Sequence, residues 1–381
     1  MAPQLRVLLD ASAIPAARGG VGRYVEQLAG ALDEMVDLTI VCQACDAEDF
    51  TTRAPNAEVV PLSRRVVSRP ARLAWEQTGL PRLARRLTVD VLHSPHYTMP
   101  LRSPVPVVAT IHDATFFSDK HLHRTIKGRF FRGWTRISLR RADACVVPSH
   151  ATAAELRRFV TKPTAPLTVA HHGVDPDQFH PPTTDEKAAA ATELGLSGSW
   201  IAFLGTLEPR KNVPALIRGY ATAFAGSPDP PALVLVGANG WDPQLNAAAA
   251  AVSEPLRVLR PGFVPGHLLS GILGGSQVVA YPSLGEGFGL PVLEGMASGA
   301  AVLTTRELAL PEVGGDAVAY CGTSSGEIGR ALAELVGDPV RRAELARRAL
   351  ARAAQFSWHA CAAQHLQAYR IAVAAGKGSL R

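Results

Sequence analysis

Two carboxylates accompany a glycine-rich turn in the segment YPSLGEGFGLPVLEGMASGAAVL, residues 281–303. Glu286 lies within the turn, and Glu294 lies one turn into the helix that Pro291 is suited to begin. Carboxylates accept hydrogen bonds from hydroxyl groups, and the free N–H groups at a helix N-terminus attract phosphate. Two solvated acids on an exposed turn would explain the spacing of the acids alone. The interleaved glycines and the apolar run before them favour a site for a nucleotide sugar.

Two cations occupy a similar position in FLGTLEPRKNVPALIRGY, residues 203–220. Arg210 and Lys211 follow an apolar run that ends at Leu204, and a helix is predicted after Asn212. Cations at such a junction can neutralise the charge that develops on a departing nucleoside diphosphate. Solvated loop cations are the alternative, and the position between a strand and a helix favours contact with phosphate.

Glycines also open the first predicted helix, in ARGGVGRYVEQLAGAL, residues 17–32. Gly20 and Gly22 permit close approach of the backbone to a ligand. Arg23 either contacts a phosphate or lies on the helix surface, and the residues alone leave both alternatives open. The G-x-G-x-x-G spacing of dinucleotide-binding proteins is missing, which disfavours a nicotinamide-dependent dehydrogenase.

Three polar residues follow apolar runs elsewhere in the first half of the chain. His112 and Asp113 come directly after the run in ATIHDATFF, although a lone histidine is more often structural than catalytic. Ser149 comes directly after the run in VVPSHATAAEL and is predicted to cap the next helix. The carboxyl ends of parallel strands share one edge of a sheet, where ligands bind, so all three residues are candidates for ligand contact.

The elements that would position these residues alternate along the whole chain. Short apolar runs, typical of strands buried on both faces, are separated by amphipathic stretches, which predicts parallel sheets with right-handed crossovers. The pattern relaxes near residues 180–199 and then restarts, which predicts two α/β domains, and residues 356–375 are predicted to form a last helix. The predicted strands are residues 5–9, 38–42, 89–93, 105–111, 144–147, 200–204, 233–236, 257–259, 278–281 and 301–303.

Composition excludes several classes of protein. The chain has 381 residues, of which 47% are hydrophobic and 19% charged, values typical of a globular protein and not of a disordered one. It contains no apolar run of 18 residues, and its N-terminal run indicates a strand rather than a signal peptide, so we expect a cytoplasmic protein. Five scattered cysteines argue against a disulfide framework, and the pair Cys42 and Cys45 is best explained by a strand end followed by a loop.

The net charge of +6 lies entirely in the first part of the chain. Residues 1–180 hold 23 Lys and Arg against 17 Asp and Glu, and the remainder holds 16 of each. This balance suits an anionic partner such as a phosphorylated acceptor or a membrane surface, and it gives little support for nucleic-acid binding.

A basic helix is predicted over residues 124–141. One face carries cations, at Arg129, Arg132, Arg136 and Arg140. Another face carries large apolar residues that we expect to be buried, Phe130, Trp134 and Ile137. Weak peripheral contact with anionic lipid at the inner face of the membrane is one interpretation, and a solvated face over a buried aromatic face is the other.

The motifs together resemble glycosyltransferase family 4, over nearly the whole chain. The family's GT-B fold implies two Rossmann-like domains that face each other across a cleft. The resemblance implies an acceptor-binding domain at 1–180, a donor-binding domain at 181–357 and a helix at 358–381 that crosses back to the first domain.

The resemblance also implies roles for individual residues. It assigns Glu286 to the donor sugar, Glu294 to the ribose, and Arg210 with Lys211 to the diphosphate, while His112 contacts or orients the sugar. Backbone contact with the donor is implied at Gly20, Gly22, Gly205, Gly287, Phe288, Gly289 and Leu290. Contact with the acceptor is implied at Arg23, Asp113 and Ser149, although Asp113 is also expected to shape its own loop.

The implied reaction moves a hexose, with retention of its α configuration, from a nucleoside diphosphate sugar to a glycan, a glycolipid or a small metabolite. The nucleotide sugar is a co-substrate, and we expect no tightly bound cofactor. The motifs favour GDP-mannose, with UDP-glucose and UDP-N-acetylglucosamine as alternatives. The D-x-D at 175–177 fits the family's interdomain turn better than a metal site, so no metal is predicted. A sugar-nucleotide epimerase of the same fold and a sugar-binding protein without activity remain the rival interpretations.

Overall fold

The computed structural model describes residues 4–14, 19–118 and 125–377. Contacts divide the chain into two compact units, one formed by Met1–Gly173 with Ser357–Arg381 and the other by Val174–Phe356. The boundary predicted from the sequence lies a few residues later, after residue 180. Three parts of the predictions lie outside the described residues: the start of the turn at 17–18, Arg124 of the basic helix, and the C-terminal residues 378–381.

Among the described residues, the first unit contains a seven-stranded parallel sheet in the order β3-β2-β1-β4-β5-β6-β7. Its strands are β1 Arg6–Asp10, β2 Asp37–Gln43, β3 Glu58–Leu62, β4 Val91–Ser94, β5 Val107–Thr110, β6 Ala144–Val147 and β7 Leu167–Val169. Its helices are α1 Gly20–Leu32, α2 Ala47–Arg53, α3 Arg69–Arg86, α4 Thr115–Ser118, α5 Thr125–Arg141, α6 His150–Phe159 and, from the end of the chain, α15 Trp358–Lys377.

The described residues of the second unit form a six-stranded parallel sheet in the order β10-β9-β8-β11-β12-β13. Its strands are β8 Trp200–Leu204, β9 Ala232–Val236, β10 Val258–Gly262, β11 Val278–Tyr281, β12 Val302–Thr305 and β13 Ala319–Cys321. Its helices are α7 Thr184–Glu193, α8 Val213–Phe224, α9 Leu245–Ala250, α10 Leu269–Gly274, α11 Leu290–Ala297, α12 Leu310–Gly314, α13 Ser325–Gly337 and α14 Pro339–Ala353.

The central strands are buried on both faces, which is why their sequences are continuously apolar. All ten predicted strands are present, and those at 144–147, 200–204 and 278–281 have the predicted bounds. The three strands that sequence analysis missed, β3, β7 and β13, are all outermost in their sheets. Edge strands are short or partly exposed, so their apolar signal is weak, and β3 also carries Pro61, a residue that sheets tolerate at an edge.

The last helix completes the first unit. It begins at Trp358, where the Ser357 hydroxyl accepts a hydrogen bond from the N–H of Ala360 at 3.1 Å. It packs against α1 and against the central strands β4, β5 and β6. The final segment of the chain therefore contributes to the core of the unit that contains the beginning of the chain.

Helix α5 differs from the prediction in the face that it buries. Its buried residues include Phe131, Thr135, Ser138 and Leu139. Phe130 is exposed, and Trp134 and Ile137 are only half-buried, so the expectation of a buried face at Phe130, Trp134 and Ile137 was wrong. Neighbouring residues on a helix point about 100° apart, so an error of one residue in the inferred stripe selects a different face.

Candidate functional site

The two loops with charged motifs meet at the centre of the second sheet. Strands β8 and β11 are neighbours, and both run in the same direction, so the loops that follow them share one edge. The loop after β8 forms a short 3₁₀ turn at Pro209–Lys211 before α8. The loop after β11 leads through residues 282–289 into α11. This arrangement brings Arg210 and Lys211 next to Glu286.

Glu286 is the centre of this cluster and is 7% exposed. The Lys211 Nζ donates to its Oε1 at 2.7 Å, and Arg210 pairs with its Oε2. Two hydroxyls also donate to Oε1, that of Ser283 at 2.7 Å and that of Tyr281 at 3.0 Å. Both carboxylate oxygens are therefore held by charged or hydroxyl donors that come from two separate loops.

Electrostatics keep this carboxylate ionised. Burial by itself raises the pKa of Glu286, but Arg210 and Lys211 outweigh burial and lower the pKa to about 2. Burial and the neighbouring Arg210 lower the pKa of Lys211, while Glu286 and Glu208 act in the opposite direction. Glu208 accepts from Arg210 at 2.8 Å. The two acids thus hold two cations close together against their mutual repulsion.

Backbone contacts join the same two loops. The Leu284 N–H donates to the carbonyl of Arg210 at 2.8 Å, and the Arg210 side chain donates to the carbonyl of Gly285 at 2.7 Å. From the next strand, the Thr305 hydroxyl donates to the carbonyl of Ser283 at 2.6 Å. The sequence motifs predict no role for Tyr281, Ser283 and Glu208. The positions of Tyr281 at the end of β11 and of Glu208 close to Arg210 were the features of the sequence that could have indicated these roles.

Glycine is required where the loop enters α11. Gly289 precedes the helix with φ of 106°, in the left-handed region, and a Cβ there would lie 2.9 Å from Leu310. Gly205, after β8, also has a positive φ, of 149°. Leu290 is the first residue of α11 and Glu294 is buried within it, whereas the Phe288 ring packs on Phe356 at 5.9 Å. The donor contacts assigned to these residues, including Gly287, stay predictions.

His112 lies at the corresponding edge of the first sheet, two residues after β5. Its Nε2 contacts the carbonyl oxygen of Pro95 at 2.7 Å. A carbonyl only accepts, so Nε2 carries the proton and Nδ1 is left as the acceptor of the ring. Burial lowers the pKa of His112 to about 4, so the ring is neutral at pH 7. His112 can therefore accept a hydrogen bond from a hydroxyl.

The remaining candidates have visible local roles. Asp113 accepts at 2.8 Å from the Thr115 hydroxyl and so shapes its own loop, as expected. Ser149 caps α6, accepting from the N–H of Thr152 at 3.0 Å, which confirms the predicted cap. Helix α1 begins at Gly20, so Gly20, Gly22 and Arg23 occupy its first turn. Ligand contact at all of these residues stays a prediction.

Two family models match the chain and together cover most of it. Glycosyltransferase Family 4 matches residues 18–178, and Glycosyl transferases group 1 matches residues 198–373. The chain is 29% identical to the O-antigen chain mannosyltransferase B of Escherichia coli, over 74% of each chain. It is 30% identical to a D-inositol 3-phosphate glycosyltransferase of Corynebacterium aurimucosum, over 77% of this chain and 75% of the relative.

Solved structures with the same fold include a sucrose-phosphate synthase of Thermosynechococcus elongatus. It is 20% identical, has a TM-score of 0.75, and matches 98% of this chain and 100% of its own. The Anabaena protein HepE, crystallised with UDP and glucose, is 18% identical with a TM-score of 0.75, over 95% of this chain and 98% of its own. These matches confirm the predicted fold class, two parallel-sheet α/β units of the GT-B type.

Proposed function

This chain belongs to glycosyltransferase family 4, and we propose that it transfers a hexose from a nucleoside diphosphate sugar to an acceptor hydroxyl with retention of the anomeric configuration. The observation that carries the proposal is the buried cluster of Arg210, Lys211 and Glu286, built from two loops at one edge of a parallel sheet. Ligands of open α/β sheets bind at this edge.

The cluster offers cations to a diphosphate and an ionised carboxylate to hydroxyls. Arg210 and Lys211 are held in place before any charge develops, which is the condition for electrostatic stabilisation of a leaving group. A pKa of about 2 means that Glu286 holds no proton at pH 7. Glu286 therefore does not serve as a general acid, and its Oε2, which pairs with Arg210 alone among the described contacts, is the oxygen that accepts from a sugar hydroxyl.

Retention is proposed to follow a front-face route. Retaining hydrolases use one carboxylate as a nucleophile and a second as acid and base, about 5–5.5 Å apart. Glu286 is poorly suited to be that nucleophile, because Lys211 and Arg210 already engage its two oxygens. In the proposed step, the bond from the anomeric carbon to the diphosphate breaks, the acceptor oxygen bonds to that carbon on the same face, and the diphosphate takes the acceptor proton.

GDP-mannose is the proposed donor, and the acceptor is a glycan, a glycolipid or a small metabolite. The name of the Escherichia coli relative as a mannosyltransferase supports mannose. The Anabaena structure with UDP and glucose makes a UDP-linked donor the alternative to test. We propose that the protein needs no tightly bound cofactor and no metal.

The thermal midpoint of the purified protein, measured with GDP, UDP and ADP with and without Mg²⁺, tests the site and the donor together. A ligand at 100 times its dissociation constant stabilises the native state by about 2.7 kcal/mol. A shift with GDP alone supports GDP-mannose, and a shift with UDP alone overturns that assignment. No shift with any diphosphate contradicts the transferase proposal. Lys211→Gln should abolish the shift, and Arg348→Gln, which removes a more exposed cation of the same unit, should not.

A peripheral contact with an anionic membrane is also proposed, through α5. No described helix is both long and apolar enough to cross a bilayer. The α5 segment has no acidic residue, and it exposes 86% of Ile126 and 38% of Phe130 next to Lys127 and Arg129. Exposed apolar residues flanked by cations suit an anionic lipid surface. The protein would then act at the inner face of the membrane.

Helix α14 supplies the matched control for this contact. It is also rich in arginine and exposes 79% of Val340, but Arg348 is paired with Asp316 at 2.7 Å and with Glu344 at 3.8 Å. Sedimentation with phosphatidylglycerol–phosphatidylcholine vesicles should be lost in the Ile126→Ser/Phe130→Ser variant and kept in Val340→Ser. Binding should weaken with salt. Equal binding to pure phosphatidylcholine vesicles would contradict the charge argument.

A further inference from the structure

A chain of hydrogen bonds between fully buried polar side chains crosses the first unit. It links helix α1, the central strands β4 and β5, and the last helix α15. Its members are Tyr24 of α1, His93 of β4, Thr110 of β5, and His365 and Tyr369 of α15. All five are at most 1% exposed, so none of these groups can exchange its partner for water.

A single carbonyl sets the direction of every bond in this chain. The His365 Nδ1 lies 2.8 Å from the carbonyl oxygen of Cys361, so Nδ1 carries the proton. Burial lowers the pKa of His365 to about 4, so the ring is neutral at pH 7 and its Nε2 is an acceptor. The Tyr24 hydroxyl, 2.7 Å away, therefore donates to Nε2, and its oxygen accepts from the Thr110 hydroxyl at 2.9 Å.

The directions of the remaining hydrogen bonds follow from that of Thr110, as far as Tyr369. The Thr110 oxygen accepts from the Nε2–H of His93 at 2.8 Å. Burial holds the pKa of His93 well below its ordinary value, so this ring is also neutral and its Nδ1 accepts from the Tyr369 hydroxyl at 2.9 Å. Tyr24, Thr110, His93 and His365 each donate one hydrogen bond and accept one, and the Tyr369 hydroxyl donates to His93. Only one polarity satisfies all of the groups.

Tyr24, an inner member of this chain of hydrogen bonds, lies next to His112. The Tyr24 ring packs against His112 with 4.7 Å between ring centres and planes at 81°. On another side Tyr24 contacts His172, which stacks on Trp358 at the start of α15. Thr110 precedes His112 by two residues, so the hydrogen-bonded chain restrains both the backbone that carries His112 and a ring that His112 touches.

We propose that Tyr24 is a positioning residue for His112, and that α15 holds Tyr24 in place through His365. The proposal rests on the sugar contact that the resemblance to the family implies for His112 in the proposed transfer, because a fixed acceptor nitrogen matters only if a substrate hydroxyl meets it. An apolar side chain at position 24 could fill the same volume. It would leave the His365 Nε2 without a donor and the Thr110 hydroxyl hydrogen without an acceptor. The remaining hydrogen bonds would then no longer be held in a single direction.

Tyr24→Phe tests the proposal in the full-length protein, because it keeps the ring and removes only the hydroxyl. Tyr220→Phe is the matched control, since Tyr220 is equally buried in the second unit and its hydroxyl donates to the Pro231 carbonyl at 2.8 Å. Two readouts are used: the ¹⁵N resonances of His112 through a pH titration, and the slow hydrolysis of GDP-mannose and of UDP-glucose without an acceptor.

Tyr24→Phe should shift the His112 resonances and its titration midpoint. It should lower kcat by about 10-fold to 100-fold, as expected when a contacting group is misplaced, with KM changed less than about 2-fold. Tyr220→Phe should change neither readout. A second pair, His365→Gln and His365→Leu, tests the link to α15. The glutamine offers an oxygen to the Tyr24 hydroxyl and should keep most of the activity that the leucine variant loses.

Two different failures can be told apart. Unchanged His112 resonances in Tyr24→Phe, in a protein with an unchanged thermal midpoint, would overturn the positioning role whatever the activity shows. Full hydrolytic activity of His112→Ala would instead contradict the substrate role of His112, and the proposal would fail with it. Equal loss of activity in His365→Gln and His365→Leu would remove α15 from the proposal.

Discussion

The candidate site residues at the carboxyl edges of the two sheets differ in charge. In the second unit the edge is charged, with Arg210 and Lys211 around an ionised Glu286. In the first unit, His112 and the adjacent buried hydroxyl and imidazole groups hold no net charge at pH 7. The loops that follow central strands thus carry a cluster of cations and carboxylates in one unit and an uncharged imidazole acceptor in the other.

This difference shows how each unit suits a different part of a substrate. Cations held by carboxylates are suited to a group whose charge grows during reaction, such as a diphosphate. Neutral imidazoles with one fixed acceptor are suited to hydroxyls, which need direction more than charge. Parallel sheets provide the location in both units, and the side chains at the strand ends determine the chemistry.

The largest effect is expected from removing the central charge of the second edge. Glu286→Gln leaves Arg210 and Lys211 close together without their shared anion, so we expect a loss of about 3–5 kcal/mol in the free energy of unfolding. Hydrolysis of the nucleotide sugar should fall about 100-fold or more. Glu344→Gln, which removes an exposed partner of Arg348, should change stability by less than about 0.5 kcal/mol. Full hydrolytic activity in Glu286→Gln would contradict the role given to the charged residues of the second unit.

As the pH is lowered, the first unit should lose stability before the second unit does. His365 has a folded pKa of about 4 against 6.5 for an unperturbed imidazole, so its contribution is complete above about pH 6.5 and is lost as the pH falls toward 4. That contribution amounts to about 3 kcal/mol. Glu286, with a folded pKa of about 2 against 4.5, contributes above pH 4.5 and loses its contribution only below that value.

Amide hydrogen exchange in each sheet measures which of the two units is destabilised first by acid. Between pH 6.5 and 4.5, protection should fall in β4 and β5 and stay nearly constant in β8 and β11, after correction for the intrinsic exchange rate. His365→Gln should reduce the pH dependence of β4 and β5, and the remaining dependence is expected from the other buried histidines of the unit, including His93 and His112, whose pKa values burial also lowers. Simultaneous loss of protection in both sheets would show that the two edges do not differ in the way described.

A smaller effect is expected from the backbone of the loops. Gly289→Ala places a Cβ at a positive φ and 2.9 Å from Leu310, so it should destabilise the second unit by about 1–3 kcal/mol and weaken diphosphate binding. Gly133→Ala is the control in the first unit, because it lies inside α5 with open space around it. It should stabilise the protein by up to about 1 kcal/mol. Thermal unfolding with and without GDP compares the two variants.

Much of this organisation could be predicted from local patterns. Glu286, Arg210 and Lys211 were identified because their loops combine charged residues with turn glycines and follow apolar runs. His112 was identified from its position after a strand, its pairing with Asp113 and the resemblance to the family. The supporting hydroxyls of Tyr281 and Ser283 were missed, because a tyrosine at a strand end and a serine in a turn have ordinary structural explanations.

The buried chain through Tyr24 and His365 could not be predicted in this way. These two residues are 341 positions apart, and the sequence around each indicates only an amphipathic helix. The buried face of α5 could not be predicted from its local pattern either. The helix contains apolar residues on more than one side, and packing against the rest of its unit selects the side that is buried.

The sequence by itself therefore determined the strand–helix alternation, the central strands and the loops that carry charge, because periodicity and turn chemistry depend on neighbouring residues. Tertiary structure decided which of these loops meet. Lys211 and Glu286 are 75 residues apart and come together only because β8 and β11 are adjacent in the sheet. Strand order depends on the packing of whole layers, and that information is distributed over the chain rather than present in any one segment.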